Sequence, residues 1–418
     1  MTTQSAIAIR RELLVRLSEA RTQTDRLFGI IKPGSLYDRP IAERHRIVFY
    51  VGHLEAFDWN LLRDFLGLSR FHAEFDQLFA FGIDPIDGNT PSDQPQDWPS
   101  FTQVENYRAQ IRKELDSALA DAGETDELVQ LLNIAIEHRL MHAETLEYMF
   151  HQLPYESKIR PESAPVVTAG GKVTTELVAI PKGDAILGLT RDAHQFGWDN
   201  ELEAHTVAVP AFSIDKYKVT NGQFLKFVEE GGYRQRSFWP DDDWAWKAEA
   251  GVAHPVFWVP AKDGFRYRSM FDNIPLQLDA PVFVSHAEAS AYARWAGKAL
   301  PTEAEWHRAA KGAQAPAETR TLWDAPGVGS MIALGSDYGA EGLIGTGWEW
   351  TSSEFAPFSG FEAFASYPGY SANFFDGKHF VMKGGSTRTA ACMLRQSFRN
   401  WFQAHYQYVY AGFRCVAR

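Results

Sequence analysis

The chain has few cysteines, no long apolar run and no excess of basic residues. Its 418 residues include only Cys392 and Cys415, which make no disulfide framework and fit a reducing cytoplasm. No apolar run is long enough to span a bilayer, and the amino terminus lacks the apolar core of a signal peptide. The formal net charge of −12 argues against nucleic acid or an anionic membrane as a partner, because both need concentrated basic charge. We therefore expect a cytoplasmic protein whose partners include neither nucleic acid nor a membrane.

Two regions of different character predict a multidomain α and α+β protein. Residues 1–153 contain four segments with helical periodicity, typical of an antiparallel four-helix bundle: 5–32, 41–68, 102–120 and 125–152. Prolines and glycines between residues 154 and 175 indicate a linker. In residues 176–418 glycine, proline and tryptophan are frequent, the predicted strands are short, and long stretches have no periodic pattern. This region therefore predicts an irregular α+β domain, with short helices at 285–297 and 302–311.

The last helical segment of the first region carries two histidines on its apolar stripe. His138 and His142 are four residues apart and therefore lie on one face of a helix. Burying two imidazoles without partners costs free energy, so each must accept a hydrogen bond or bind a metal, and a facing pair favours the metal. His53, on the stripe of segment 41–68, is the best candidate for a third ligand, although a structural histidine is an open alternative there. His45 is the weaker rival.

Six stretches of the second region resemble the formylglycine-generating-enzyme-like domain, a variant of the C-type lectin fold. They are residues 197–201 (GWDNE), 219–222 (VTNG), 300–306 (LPTEAEW), 348–353 (WEWTSS), 384–386 (GGS) and 411–414 (AGFR). The helical region, with its His-x3-His-x-Glu motif, resembles a DinB-type bundle. Together the two regions resemble the EgtB family of sulfoxide synthases.

This resemblance implies an enzyme of defined chemistry. Members of that family use mononuclear non-haem Fe(II) and dioxygen to join a chalcogen to the imidazole of hercynine, the trimethylated betaine of histidine. His53, His138 and His142 match the positions of the family's iron ligands. Neutral imidazoles leave the ion its charge and open positions, so a thiolate or selenolate can bind beside the other substrates.

The resemblance also implies where hercynine and a proton donor lie. Asn400 would bind the carboxylate of hercynine, and Trp401 would face its quaternary ammonium through a cation–π contact. From the residue alone, core packing is the simpler interpretation of Trp401. Tyr367 resembles the family's catalytic tyrosine, with Tyr370 as the alternative, although either could be an ordinary loop aromatic.

The chain departs from the family pattern at two positions that concern the substrates. Phe402 stands where members that use γ-glutamylcysteine carry an acidic residue, so a partner for the ammonium of that donor is missing. Met141 stands where some members have a glutamine that contacts hercynine. The bundle segments 45–59 and 78–85 look most like the selenoneine synthase (SenA) branch, whose donor is a selenosugar.

The leading hypothesis is therefore the O2- and Fe(II)-dependent formation of a C–Se bond between hercynine and a selenosugar. The near alternative is a sulfoxide synthase that joins a thiol, cysteine or γ-glutamylcysteine, to hercynine in ergothioneine biosynthesis. A metal-dependent thiol transferase that needs no oxygen is a further alternative, and a non-catalytic binding module is the last. Formylglycine generation is excluded, because Cys392 and Cys415 do not form the close cysteine pair that those enzymes use near the carboxyl terminus.

Overall fold

The chain folds into two compact units, Met1–Glu162 and Ser163–Arg418. The computed structural model describes residues 3–82, 90–162, 173, 175–192, 195–315 and 335–418. The first unit is helical and the second combines small sheets with short helices, which confirms the predicted multidomain α and α+β fold. Within the described residues, no helix has both the length and the apolar character needed to cross a membrane.

Five helices form the described part of the first unit. They are α1 (Thr3–Phe28), α2 (Ile47–Leu62), α3 (Ala73–Phe81), α4 (Phe101–Asp121) and α5 (Asp126–Gln152). Helices α1, α2, α4 and α5 correspond to the four predicted segments, and α5 packs against both α1 and α2. Thr125 begins α5, because its hydroxyl oxygen accepts a 3.1 Å hydrogen bond from the main-chain N–H of Leu128.

The sequence did not predict α3, and it predicted α1 and α2 too long. Helix α3 has only nine residues, which is too short for a periodic pattern, and it packs on α2. Helix α1 ends at Phe28 shortly before Pro33, which cannot continue a helix. Helix α2 begins only after Arg46, whose backbone is extended.

The predicted linker begins later than residue 154. Ser157 accepts a 3.0 Å main-chain hydrogen bond from Lys32, and the N–H of Ile159 donates to the carbonyl of Ile30 at 2.7 Å. The ammonium of Lys158 caps α5 by donating to the carbonyl of Phe150 at 2.9 Å. These bonds attach residues 155–159 to the bundle, while residues 163–172 and 174 lie outside the described part of the chain.

The described part of the second unit contains four small sheets in the order β1–β4–β12, β10–β9–β8–β11, β2–β3 and β5–β6–β7. Their strands are β1 (Leu177–Ile180), β2 (Gly183–Leu187), β3 (His205–Val209), β4 (Phe212–Asp215), β5 (Trp258–Ala261), β6 (Gly264–Arg268), β7 (Asn273–Pro275), β8 (Trp348–Glu354), β9 (His379–Lys383), β10 (Asn400–Gln403), β11 (Ala411–Gly412) and β12 (Val416–Ala417). The helices are α6 (Asn221–Glu229), α7 (Asp241–Glu249), α8 (His286–Trp295) and α9 (Glu303–Ala309). Capping boxes at Ser285 and Thr302 begin α8 and α9, which confirms both predicted short helices.

A buried carboxylate explains why several of the sequence motifs occur together. Glu349, at the start of β8, accepts hydrogen bonds from the guanidinium of Arg414 at 2.9 Å and from the indole of Trp306 at 3.1 Å. The ammonium of Lys218 lies 2.9 Å from the same carboxylate. All four side chains are fully buried, so removing one partner would leave a buried charge or donor unpaired. Three of the motifs, which contain Trp306, Glu349 and Arg414, thus meet in the core of the second unit.

Candidate metal centre and aromatic cluster

Three histidines of the first unit converge on one point. Among the described residues, His53, His138 and His142 are the only group of three potential ligands whose ligand atoms all lie within 4.8 Å of one another. The Nε2 atoms of His53 and His142 are 3.2 Å apart. Helix α2 contributes the first histidine and α5 the other two, one turn apart. The structure thus brings the three predicted ligands together, while His45 is not part of this group.

The tautomer of His53 follows from its hydrogen bond. Its Nδ1 lies 2.7 Å from the main-chain carbonyl oxygen of Phe79 in α3. A carbonyl only accepts, so Nδ1 carries the proton and the lone pair of Nε2 is available to a metal. Helix α3 comes this close because residue 52 is glycine: a Cβ there would lie 2.4 Å from the ring of Phe79. A helix that the sequence did not predict therefore orients a predicted ligand.

Burial keeps all three imidazoles neutral at neutral pH. It lowers the pKa of His53 to about 4, against the smaller opposing effect of the bond to Phe79. The pKa values of His138 and His142 lie well below the ordinary value, first because of burial and then because of the neighbouring imidazoles. Neutral imidazoles are the form that binds metals, so the centre is ready to bind without losing protons.

Aromatic rings hold the imidazoles in place. The ring of Phe57 lies flat against His138, with 3.4 Å between centroids and 10° between planes. Phe49 stacks on His53 at 4.8 Å. Phe49, His53 and Phe57 follow one another at four-residue steps along α2, so the three side chains lie on one face of the helix.

The donor set fits a divalent transition metal. Three neutral nitrogen donors within a few ångströms suit ions such as Fe(II), Co(II) or Zn(II), and three protein ligands leave positions for substrates. Met141 precedes His142 in α5 and is partly exposed. It offers a thioether where some relatives of the family were expected to offer an amide.

A buried charge network lies beside the histidines, and sequence reasoning missed it. Arg139 of α5 donates to Asp58 at 2.7 Å and to Glu55 at 3.0 Å, both on α2. Arg112 of α4 reaches Glu55 at 2.6 Å and Asp25 of α1 at 2.7 Å. Burial raises the pKa of Glu55, but Arg139 and then Arg112 outweigh it and bring the pKa down to about 2. The available signal was a set of charged residues at buried positions of four amphipathic helices.

An aromatic cluster in the second unit contains both predicted tyrosines and the predicted substrate tryptophan. We define the aromatic cluster as Trp198, Phe355, Tyr367, Tyr370, Phe374 and Trp401. Tyr370 stacks on Trp198 with 3.9 Å between centroids and meets Trp401 edge-on at 5.3 Å. Phe355 lies flat on Trp401 at 4.1 Å, and Tyr367 is 5.6 Å from Tyr370. One face of Trp401 is thus occupied by packing, although its side chain is only partly buried.

Asn400 and Phe402 point away from that cluster. Successive side chains of a strand point to opposite faces, so Asn400 and Phe402 share the face of β10 that Trp401 does not use. The main-chain N–H of Trp401 donates to Oδ1 of Asn400 at 2.9 Å, which leaves the Nδ2 donors of this amide for other partners. Phe402 stacks on Tyr406 with 4.8 Å between centroids and 11° between planes.

Asp199 fastens the loop that carries both tyrosines. Its fully buried carboxylate accepts a hydrogen bond from the hydroxyl of Ser371 and a 3.4 Å bond from the main-chain N–H of Phe364. Burial, followed by the charge of Asp199, raises the pKa of Tyr367 above its ordinary value. Asp199 belongs to the GWDNE motif, whose role the sequence did not reveal.

Buried ion pairs and a hydrogen bond fix the segment that precedes strand β10. Arg399, immediately before Asn400, donates to Glu303 at 3.0 Å and 3.1 Å through two nitrogens. Ser397 donates to Glu201 at 2.7 Å, and Arg395 pairs with the same carboxylate. The segment that leads to Asn400 and Trp401 is therefore a rigid one.

Comparison with known proteins supports the family that the motifs indicated. Residues 163–418 match the family model described as the sulfatase-modifying factor enzyme 1-like domain. The chain is 36% identical over 306 residues to a hercynine oxygenase of Mycolicibacterium smegmatis, a match that covers 67% of this chain and 70% of that protein. The chain belongs to the hercynine oxygenase group of the sulfatase-modifying factor enzyme 1-like family.

Two other relatives match different shares of the chain. The hercynine oxygenase of Mycolicibacterium thermoresistibile is 40% identical over 253 residues, which cover 55% of this chain and 56% of that protein. Ergothioneine biosynthesis protein 1 of Schizosaccharomyces pombe is 28% identical over 438 residues, which cover 93% of this chain and 53% of that protein. The EgtB-type family is thereby confirmed, and its selenoneine synthase branch stays a prediction.

Proposed function

We propose that this member of the hercynine oxygenase group joins a thiol to the imidazole of hercynine in a reaction that uses Fe(II) and dioxygen. The observation that carries the proposal is the convergence of His53, His138 and His142 in a chain related to proteins named hercynine oxygenases. In such a reaction an imidazole C–H and a thiol S–H are exchanged for a C–S bond, and the sulfur is oxidised to a sulfoxide. Dioxygen accepts the four electrons and supplies the sulfoxide oxygen and one water.

The three histidines would hold the ion. When bound, Fe(II) would supply the redox chemistry with dioxygen that the protein's own side chains cannot supply. The protein's contribution is to present three neutral nitrogen donors, with the Nε2 of His53 directed by the bond from its Nδ1 to Phe79.

The second unit offers groups that match the chemistry of hercynine. The Nδ2 group of Asn400 can donate to a carboxylate of a ligand on its own face of β10, opposite to the face of Trp401, since its Oδ1 already accepts from the main-chain N–H of Trp401. A trimethylammonium group cannot donate hydrogen bonds, so an aromatic face such as that of Trp401 is an apt partner. Tyr367 would donate a proton during the reaction: its phenol is protonated at neutral pH, as any tyrosine with an ordinary or raised pKa is.

A selenosugar is the second candidate donor, and position 402 is what favours it. Phe402 and Tyr406 place two stacked, uncharged rings on the Asn400 face of β10. Neither residue has a carboxylate that could bind the ammonium group of an amino-acid thiol. A sugar carries no such charge and packs well on aromatic rings. If this donor is the natural one, the product carries a C–Se bond in place of the C–S bond on the imidazole of hercynine.

The test is an anaerobic mixture of purified protein, Fe(II) and hercynine with cysteine, γ-glutamylcysteine or a 1-selenosugar, followed by air. Mass spectrometry identifies which adduct forms, and an oxygen electrode records the consumption of dioxygen. An adduct without oxygen uptake would replace our proposal with a thiol transferase. No adduct with any donor would contradict it.

Two variants separate catalysis from binding. His138→Ala should abolish both Fe(II) binding and turnover while hercynine still binds, and unchanged iron content would remove the ligand assignment. Phe402→Asp should raise turnover with γ-glutamylcysteine relative to the selenosugar, whereas the equally sized but uncharged Phe402→Asn should not. Hercynine binding without turnover by the wild-type protein would point instead to a binding module.

A further inference from the structure

We propose that Arg139 is a positioning residue of the metal centre: it fixes α2 against α5 and so sets the distance between His53 and the two histidines of α5. The inference rests on the proposed function only in so far as the three histidines hold a metal. It concerns a residue that neither contacts a substrate nor coordinates the ion.

The spacing of the three histidines depends on how α2 lies against α5. His138 and His142 are one turn apart in α5, so the helix itself sets their spacing. His53 belongs to α2, and its Nε2 lies 3.2 Å from that of His142 only while the two helices keep their present positions. A shift of α2 along α5 by even one ångström would change how the three nitrogens meet an ion.

Arg139 makes the directional contacts that resist such a shift. Its Nη2 donates to the carbonyl oxygen of Leu54 at 2.8 Å, to Glu55 at 3.0 Å and to Asp58 at 2.7 Å. These three acceptors lie within little more than one turn of α2. The guanidinium is planar and fully buried, so it accepts few other arrangements of its partners.

The contacts lie next to the ligands on both helices. Arg139 follows His138 directly, and Leu54 follows His53 directly. Apolar packing between two helices tolerates small displacements, whereas sliding α2 past Arg139 would leave buried carboxylates without their partner. The ion pair therefore fixes the register at the point where the ligands meet.

Arg112 provides the matched control. It binds the same carboxylate, Glu55, at 2.6 Å, and is also an arginine on a neighbouring helix. It lies on α4, however, which carries no histidine of the centre. Its loss weakens the bundle without loosening α2 from α5.

The experiment compares Co(II) binding by the metal-free wild-type protein, Arg139→Lys and Arg112→Lys. Absorbance titration gives the dissociation constant and the ligand-field spectrum, and urea unfolding without metal gives the stability of each variant. We expect both variants to be less stable than wild type. Only Arg139→Lys should bind Co(II) at least about tenfold more weakly than wild type and show an altered spectrum. A loss of affinity of this size is typical when a group that orients a metal ligand is removed.

The outcomes are distinguishable. Unchanged Co(II) affinity in Arg139→Lys, or equal weakening in both variants, would overturn the positioning role while leaving the metal centre intact. If the wild type binds no Co(II), the metal centre of the proposed function fails first. Should Arg139→Lys not fold, Asp58→Ala removes one of the three acceptors and must weaken Co(II) binding more than Arg112→Lys does.

Discussion

His53 donates a hydrogen bond from Nδ1 to the main-chain carbonyl of Phe79, and this bond ties a proposed metal ligand to a helix of only nine residues. The approach of that helix depends on Gly52. A methyl group there would come within 2.4 Å of the ring of Phe79, which is fully buried and cannot move freely. The short helix therefore acts on the orientation of the ligand.

Gly52→Ala should lower both stability and metal affinity. Forcing a methyl group into this contact costs about 1–3 kcal/mol in comparable packed cores, and displacement of α3 removes the acceptor that fixes the His53 tautomer. Urea unfolding of the metal-free protein and Co(II) titration measure the two effects. The control is Gly123→Ala, where an added Cβ meets nothing within 4 Å. Equal Co(II) affinity in the two variants would argue against a role for α3.

Trp401→Leu should weaken hercynine binding by about 0.5–2 kcal/mol if the indole faces the trimethylammonium group. Calorimetric titration with hercynine measures the loss. Trp401→Phe keeps an aromatic face and should lose less. Because Phe355 packs on Trp401, the melting temperature of each variant must be compared as well. Binding as tight as wild type in the leucine variant would leave Trp401 with a packing role alone.

Tyr367→Phe should leave hercynine binding unchanged and alter the ratio of sulfoxide product to simply oxidised thiol. The phenol proton is what the variant lacks, while its ring remains beside Tyr370. Chromatography of the products gives the ratio. Tyr370→Phe is the comparison, since Tyr370 stacks on Trp198 and is buried. If only the Tyr370 variant changes the ratio, Tyr370 is the proton donor and Tyr367 is not.

The stability of the second unit should fall in mild acid because of His286. Burial lowers its pKa to about 4, despite the opposing charge of Asp243, whereas in the unfolded chain the pKa is about 6.5. Between these values the unfolded state binds more protons, so stability is complete above pH 6.5 and is lost as pH falls toward 4. Comparing urea unfolding at pH 7 and pH 5, we expect His286→Gln to lose about 2 kcal/mol less than wild type. Identical losses would show that the fold leaves the pKa of His286 unshifted, so that the imidazole takes up a proton equally in both states.

The sequence predicted those parts of the site that depend on regular spacing. Two histidines four residues apart on an apolar stripe must share a helix face, and the motifs of the second unit identified its family. Helix α3 could not be predicted, since nine residues give no periodic pattern and Phe79 acts through its main chain. The contacts of Arg139 were equally hidden, because a charged residue on a helix is ordinarily solvated and only the fold shows its partners.

Strand β10 presents two different surfaces by the alternation of its side chains. Trp401 belongs to a packed cluster of rings, while Phe402 lies on the opposite face beside Asn400. A substitution at position 402 can therefore alter the charge on one face of the strand without disturbing the rings around Trp401. If the donor binds beside Phe402 as we propose, its choice could be redesigned one residue away from Trp401 within the same framework.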